Sequence, residues 1–197
     1  MAKKKATVWI IVLVVLGAIV LWGVNVYNGL VTGDESVKTA WSQVENVYQR
    51  RADLIPNLVA TVKGYAQHES ETLEGVIEAR SKATQITVNA DNLSEESIAQ
   101  FQAAQGELSS ALGRLMAISE AYPDLKANEN FMSLQAQLEG TENRIATERR
   151  SYNEAAKAYN TTLRRFPTNI IASMFGFETK GYFKAEEGAE KAPVVEF

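Results

Sequence analysis

The sequence predicts an all-α protein: an N-terminal transmembrane helix, then a long antiparallel up-and-down bundle of three to four helices, the first kinked near Pro56. Three observations carry that prediction. Residues 6–32 hold no charged side chain, and Val8 to Val24 are almost continuously apolar. From Asp34 onward apolar residues return every three or four positions, the seam of helices packed side by side. Strand patterning is nearly absent, and the four prolines stand far apart at 56, 123, 167 and 193.

The N-terminal run is long enough for a bilayer, since about 20 apolar residues cross the hydrocarbon. The predicted span is 7–27. A cleaved signal peptide is the alternative, but its apolar core is ordinarily about 7–15 residues and ends at a small-residue site that this run lacks. Lys3, Lys4 and Lys5 precede the span, and Asp34 and Glu35 follow it. The excess of lysine keeps residues 1–6 in the cytoplasm and puts the bundle on the periplasmic or extracellular side of the inner membrane. Trp9 suits one interface, and Trp22 and Tyr27 the other.

The bundle is expected over 34–167. Its first helix runs from Asp34 to Ile86, with Val37, Trp41, Val44, Tyr48, Ile55, Leu58, Val62, Tyr65, Leu73 and Val76 in the stripe. Pro56 removes one helical hydrogen bond and crowds the carbonyl of Ala52. The register survives on both sides, so a kink is favoured over a break. Ser94 with Glu95 and Glu96 reads as the start of a second helix that ends before Pro123. A third runs from Leu125 to Phe166, its seam marked by Phe131, Leu134, Leu138, Ile145, Tyr152 and Tyr159. A short amphipathic segment, 168–184, and an acidic, mobile tail, 185–197, complete the reading.

Composition narrows the chemistry. The 197 residues carry a net charge of −4, no cysteine and one histidine. That gives no case for nucleic acid and removes disulfides, thiolate metal sites and a cysteine nucleophile. Carboxylate metal sites in bundles use Glu-x-x-His from two helices, whereas His68 is single and its neighbour Glu69 does not share its helix face. No phosphate loop or nucleophile elbow occurs, so no catalytic residue, metal or cofactor is predicted.

Polar residues interrupt the stripes at Arg51, Glu69, Arg80, Gln105 and Glu148. A buried charge needs a partner, so Arg51, Glu69, Arg80 and Glu148 are expected to form an interior polar network that fixes register. The Arg50-Arg51 pair beside the proline is also suited to phosphate. The other candidate surface is apolar: Ile170, Ile171, Met174, Phe175 and Phe177, flanked by Arg164, Arg165, Lys180 and Lys184. It either caps one end of the bundle or contacts membrane or another subunit.

Several strings have a specific resemblance. RRADLIPNLV (51 among them, ending at Val59), YPDLKAN from Tyr122 to Asn128, and LEGTENRI from Leu138 to Ile145 resemble the LemA family. So do Tyr27–Val31, Ala40–Glu45, Ala79-Arg80, Tyr159-Asn160 and Phe166-Pro167. The resemblance covers nearly the whole chain, ending near Phe183. It implies a single-span bacterial membrane protein with a long antiparallel bundle and no established enzymatic activity, and a magnetosome-associated protein looks like a relative. Together these readings point to a non-enzymatic, membrane-anchored scaffold. It is expected to self-associate as a homo-oligomer or to organise partners, other membrane proteins among them, at the inner membrane. A ligand-binding or signal-input module using the interior polar residues is the alternative.

Overall fold

The computed structural model describes residues 2–185, with side chains from Trp9 onward. Every regular element among them is helical. There are six α-helices, not three to four: α1 Ala2–Tyr65, α2 Ser70–Gln85, α3 Glu95–Ile118, α4 Pro123–Lys126, α5 Glu129–Arg164 and α6 Thr168–Phe175, with a 3-10 turn at Ser119–Ala121. The extra elements come from splitting the predicted ones. The first predicted bundle helix becomes part of α1 and all of α2, and the start of the third becomes α4.

The apolar N-terminal run and the first bundle segment form one uninterrupted helix of 64 residues, roughly 95 Å long at 1.5 Å per residue. Pro56 lies inside it, and the chain breaks instead at Ala66–Glu69. Two features explain the site of the break. Gly64 weakens the last turn, and the Ala66 N–H still closes on Val62 before the Glu69 N–H bonds back to Ala66 in a tight turn. Proline is tolerated at 56 because the carbonyl it deprives of a partner finds another: Arg80 Nε on α2 donates to Ala52 O at 2.7 Å.

The later starts and stops follow capping chemistry. The Ser94 hydroxyl accepts from Ser97 N and opens α3, with Glu95 and Glu96 in the first turn. Pro123 begins α4, where its missing N–H is harmless. The Asn128 side chain accepts from Phe131 N and opens α5. Gly176, at φ +74°, closes α6 in the left-handed conformation that glycine adopts without strain.

The core falls into two apolar blocks. One gathers Trp41, Tyr48, Phe101, Ile145, Tyr152 and Tyr159, among others, and includes Phe183 near the C-terminus. The other is built on Ile55, Leu58, Val62, Val76, Leu108, Leu115, Phe131 and Leu138. Between them lie the buried polar residues Arg51, Gln105 and Thr141. On α1, α3 and α5 alike the polar residue sits between the last side chain of one block and the first of the other. The predicted mobile tail lies outside the described residues, apart from Ala185.

Candidate functional site

Three features are built on this frame. The first is the exposed apolar end of α1. From Trp9 to Gly29 every residue is exposed except Gly23 and Val26, which are half-buried. Leu21 is 73% exposed and Ile10 62%. The stretch carries no charge and is long and apolar enough to cross a membrane. Gly23 and Val26 are covered because α6 lies beside them. Ile171 reaches the face of Gly23, and the Tyr27 ring meets Phe175 and Phe177 edge-on at 4.9 and 5.6 Å. Of the five predicted contact residues, Ile171 and Phe177 are half-buried, while Ile170, Met174 and Phe175 are exposed.

The second feature is the polar layer. Arg51 is 1% exposed. Its Nη1 donates to Ser109 Oγ and Glu142 Oε1, both at 2.8 Å, and its Nη2 to Gln105 Oε1 at 2.6 Å and Gln105 O at 3.3 Å. The guanidinium carbon lies 5.0 Å from the centre of the Tyr48 ring, and Nε has no acceptor. The guanidinium thus ties α1 to α3 and α5 at once, using the planar fork that a lysine lacks. Beside it a cleft of about 650 Å³ opens between these helices, lined by Arg51, Gln105, Ser109, Glu142 and Arg149 and, from the C-terminal segment, Lys184 and Ala185.

The four predicted network residues do not meet. Arg51 pairs with Glu142, which lies outside that set. Arg80 serves the Ala52 carbonyl. Glu69 stands at the start of α2 and accepts from the Tyr122 hydroxyl at 3.1 Å, a bond that raises the Tyr122 pKa. Glu148 is half-buried and joins none of the other three.

The third feature escaped sequence reasoning. Residues 177–185 form an extended strap laid along the bundle. Three side-chain amides each grip both backbone groups of one strap residue. Asn160 bonds the N–H and C=O of Lys180, both at 2.8 Å. Asn153 does the same for Phe183, both at 2.9 Å, and Gln102 for Lys184, both at 3.0 Å. Gly181 N–H donates to Leu93 O at 2.8 Å, and the Tyr152 hydroxyl donates to Gly181 O at 3.1 Å. Phe183 plugs a pocket formed by Trp41, Phe101 and Tyr152. Asn153 and Asn160 are seven residues apart, each just after a buried tyrosine of the α5 seam. That repeat was the available signal.

Charge secures the strap where it leaves α6. Lys180 Nζ lies 2.6 Å from Asp34, which Lys38 also contacts at 3.1 Å. Burial pushes the Asp34 carboxyl up, but hydrogen bonds from Lys180 and Lys38 outweigh it and hold its pKa below the ordinary carboxylate value. Lys38 is raised by its bonds to Asp91 and Asp34. Burial and the nearby Asp34 charge push the Tyr159 hydroxyl up to about 12. Among the described residues no group of three or more His, Cys, Asp or Glu is placed to hold a metal ion.

Fold and surface together define an all-helical protein with a single exposed apolar helix end and no strand among the described residues. The LemA family pattern matches residues 40–197, and the chain belongs to that family. It is 29% identical to magnetosome protein MamQ 2 of Paramagnetospirillum magneticum over 186 aligned residues, covering 86% of this chain and 68% of that protein. Magnetosome protein MamQ of Magnetospirillum gryphiswaldense is 28% identical over the same extent. Protein LemA of Metamycoplasma hominis is 26% identical over 160 residues, 81% of this chain and 69% of that one.

Proposed function

We propose that the chain is a membrane-anchored, non-enzymatic helical scaffold. Residues 7–27 span the inner membrane with the N-terminus in the cytoplasm, and the bundle stands on the far side and self-associates or holds partner membrane proteins. The observation that carries the reading is the exposed, uncharged end of α1. In water a patch that size is a liability, whereas in lipid it has no cost. Because the same helix continues into the bundle without a joint, the depth and tilt of the span pass directly to the soluble part. Contact pairs support long helices running antiparallel: Gly33 with Tyr159, Arg51 with Glu142 and Tyr65 with Asn128. The names of the relatives specify a structure or the family and no reaction.

The test is carbonate extraction of membranes holding the full chain, with protease protection to report sidedness and light scattering of the detergent-solubilised protein to report mass. Retention in the membrane, an externally cleaved bundle and a mass above one chain are expected. Release by carbonate removes the anchor, and a strictly monomeric species with no co-purifying protein removes the scaffold.

The cleft beside Arg51 favours a second reading, a ligand-binding or signal-input module. Arg51, Arg149 and Lys184 in its lining suit a small anionic metabolite, which would raise the melting temperature by linkage. A metabolite panel that shifts nothing removes this reading and leaves Arg51 with its structural task.

A further inference from the structure

Tyr159 lies against Gly33, Ile171 against Gly23, and Phe175 and Phe177 against Tyr27. The chain therefore descends along α1 through the end of α5, turns at Phe166-Pro167, and rises again through α6. The turn reaches the level of residues 20–23, within the apolar run. From Phe166 to Phe177 no residue is charged. Phe166 is 81% exposed and Met174 71%, so the outer face of α6 continues the apolar surface of α1. Between the two helices a cleft of about 310 Å³ is lined by Val20, Gly23, Val24, Tyr27, Ile171 and Phe175, with no charged residue among them. Immediately before the turn stand Arg164 and Arg165, both exposed and neither in an ion pair with a described residue.

We propose that the α5–α6 turn is a lipid-binding site: an acyl chain of an anionic glycerophospholipid lies in the cleft between α1 and α6, and its phosphate meets Arg164 and Arg165. The inference rests on the membrane reading of α1 and adds a ligand to it. Each part of the site matches a part of the lipid. The apolar cleft offers nothing to a polar ligand, and its mouth is continuous with the surface that faces the hydrocarbon. Arginines one turn above an inserted apolar tip extend their stems along it and place their charge among the headgroups. An anionic phosphate supplies the counter-charge that the described chain does not.

The chain has no cysteine, so single cysteines report without interference. The full-length variants Leu21→Cys, Met174→Cys and Met132→Cys, each carrying an environment-sensitive fluorophore, are reconstituted in vesicles of phosphatidylcholine and phosphatidylglycerol. Lipids brominated on the acyl chain then quench any probe in the hydrocarbon. Positions 21 and 174 are expected to be quenched, and position 132, on α5 in the bundle, to remain bright. Quenching at 21 without quenching at 174 overturns the lipid site and leaves the anchor standing, whereas quenching at neither removes both. A probe at 174 shielded from water but untouched by brominated lipid marks a contact with another copy and also overturns the proposal. For the headgroup, the bromines are placed on phosphatidylglycerol alone or on phosphatidylcholine alone. In the R164Q/R165Q variant the preference for phosphatidylglycerol at position 174 should fall at least about fivefold, the factor expected from losing one arginine at an anionic surface. An unchanged preference overturns the assignment of the two arginines.

Discussion

Replacing Gly181 by alanine tests whether the strap is held to the bundle by shape. An added Cβ would lie 2.7 Å from Glu95 Cα and 2.8 Å from both Glu95 N and Ser94 O. All three are backbone atoms at the capped start of α3, where the Ser94 hydroxyl fixes the chain, so the strap must move. Movement stretches the bonds from Gly181 N–H to Leu93 and from Tyr152 to Gly181 O, each contributing about 0.5–1.5 kcal/mol. It also withdraws Phe183, two residues on and 5% exposed, whose full burial stabilises by about 1.5–3 kcal/mol. Losing both bonds and part of that burial costs about 2–4 kcal/mol. At about 2–4 °C per kcal/mol for a chain of this size, the melting midpoint should fall by roughly 5–15 °C. The assay is thermal unfolding of the detergent-solubilised full chain, followed by far-ultraviolet circular dichroism. Gly113→Ala is the control: its Cβ meets nothing within 4 Å, and as an interior position of α3 it should gain about 0.5–1 kcal/mol. A Gly181→Ala midpoint equal to the wild type, with the control raised, would refute the account.

Arg80→Ala should cost about 1–2 kcal/mol in the wild type but little in a Pro56→Ala background, where residue 56 regains an N–H for Ala52 O; a double-mutant cycle in denaturant that shows no coupling rejects the link. Glu142→Ala should destabilise more than Arg51→Met, by about 1 kcal/mol or more, because it strands a fully buried guanidinium whereas Glu142 is 41% exposed and rehydrates. The reverse order of denaturant midpoints would count against an interior charge layer. Asp34 has a folded pKa below its unfolded one, so its stabilisation is present above the unfolded value of about 3.9 and is lost as pH falls through the lower folded value. Asp34→Asn should therefore flatten the acid limb of a melting-temperature profile below about pH 4, and parallel profiles for the two proteins would dismiss the strap contact as its source.

What the sequence makes legible is the periodic part of the fold. The α5 seam from Phe131 through Tyr159 and the α3 start at Ser94 follow from local rules, and the structure has both. The break after Tyr65 does not, because the heptad count runs on numerically from Val62 to Leu73 and Val76 while the chain reverses between them. Ala66, rather than Tyr65, is the residue buried there. A seam rule records which faces are apolar and is blind to a turn that preserves the phase. The strap is hidden for a different reason. Asn153, Asn160 and Gln102 bond to backbone, and backbone partners leave no complementary side chain in the sequence to suggest them. Arg51 is legible as a buried charge, but its carboxylate is not: Glu142 sits at the edge of the seam, half exposed, where polar residues are ordinary.

The polar layer has a task that an apolar one would do badly. A seam repeating every three or four residues can slip by a heptad and still match apolar to apolar, at little cost in burial. Arg51 removes that degeneracy, because Gln105 and Ser109 on α3 and Glu142 on α5 satisfy it only in one alignment. The alignment matters most at the other end of the bundle. A one-heptad slip of α5 moves it about 10 Å along α1. α6, joined to α5 by the Phe166-Pro167 turn, would move with it and leave Gly23 and Tyr27, and the strap behind α6 would lose Leu93 and Gln102. One buried guanidinium in the middle of the bundle thus sets the level at which the α5–α6 turn meets the apolar end of α1. If Arg51→Met removes the quenching at position 174 while leaving it at position 21, that long-range setting of depth is the reason; equal quenching at both would confine Arg51 to local stability.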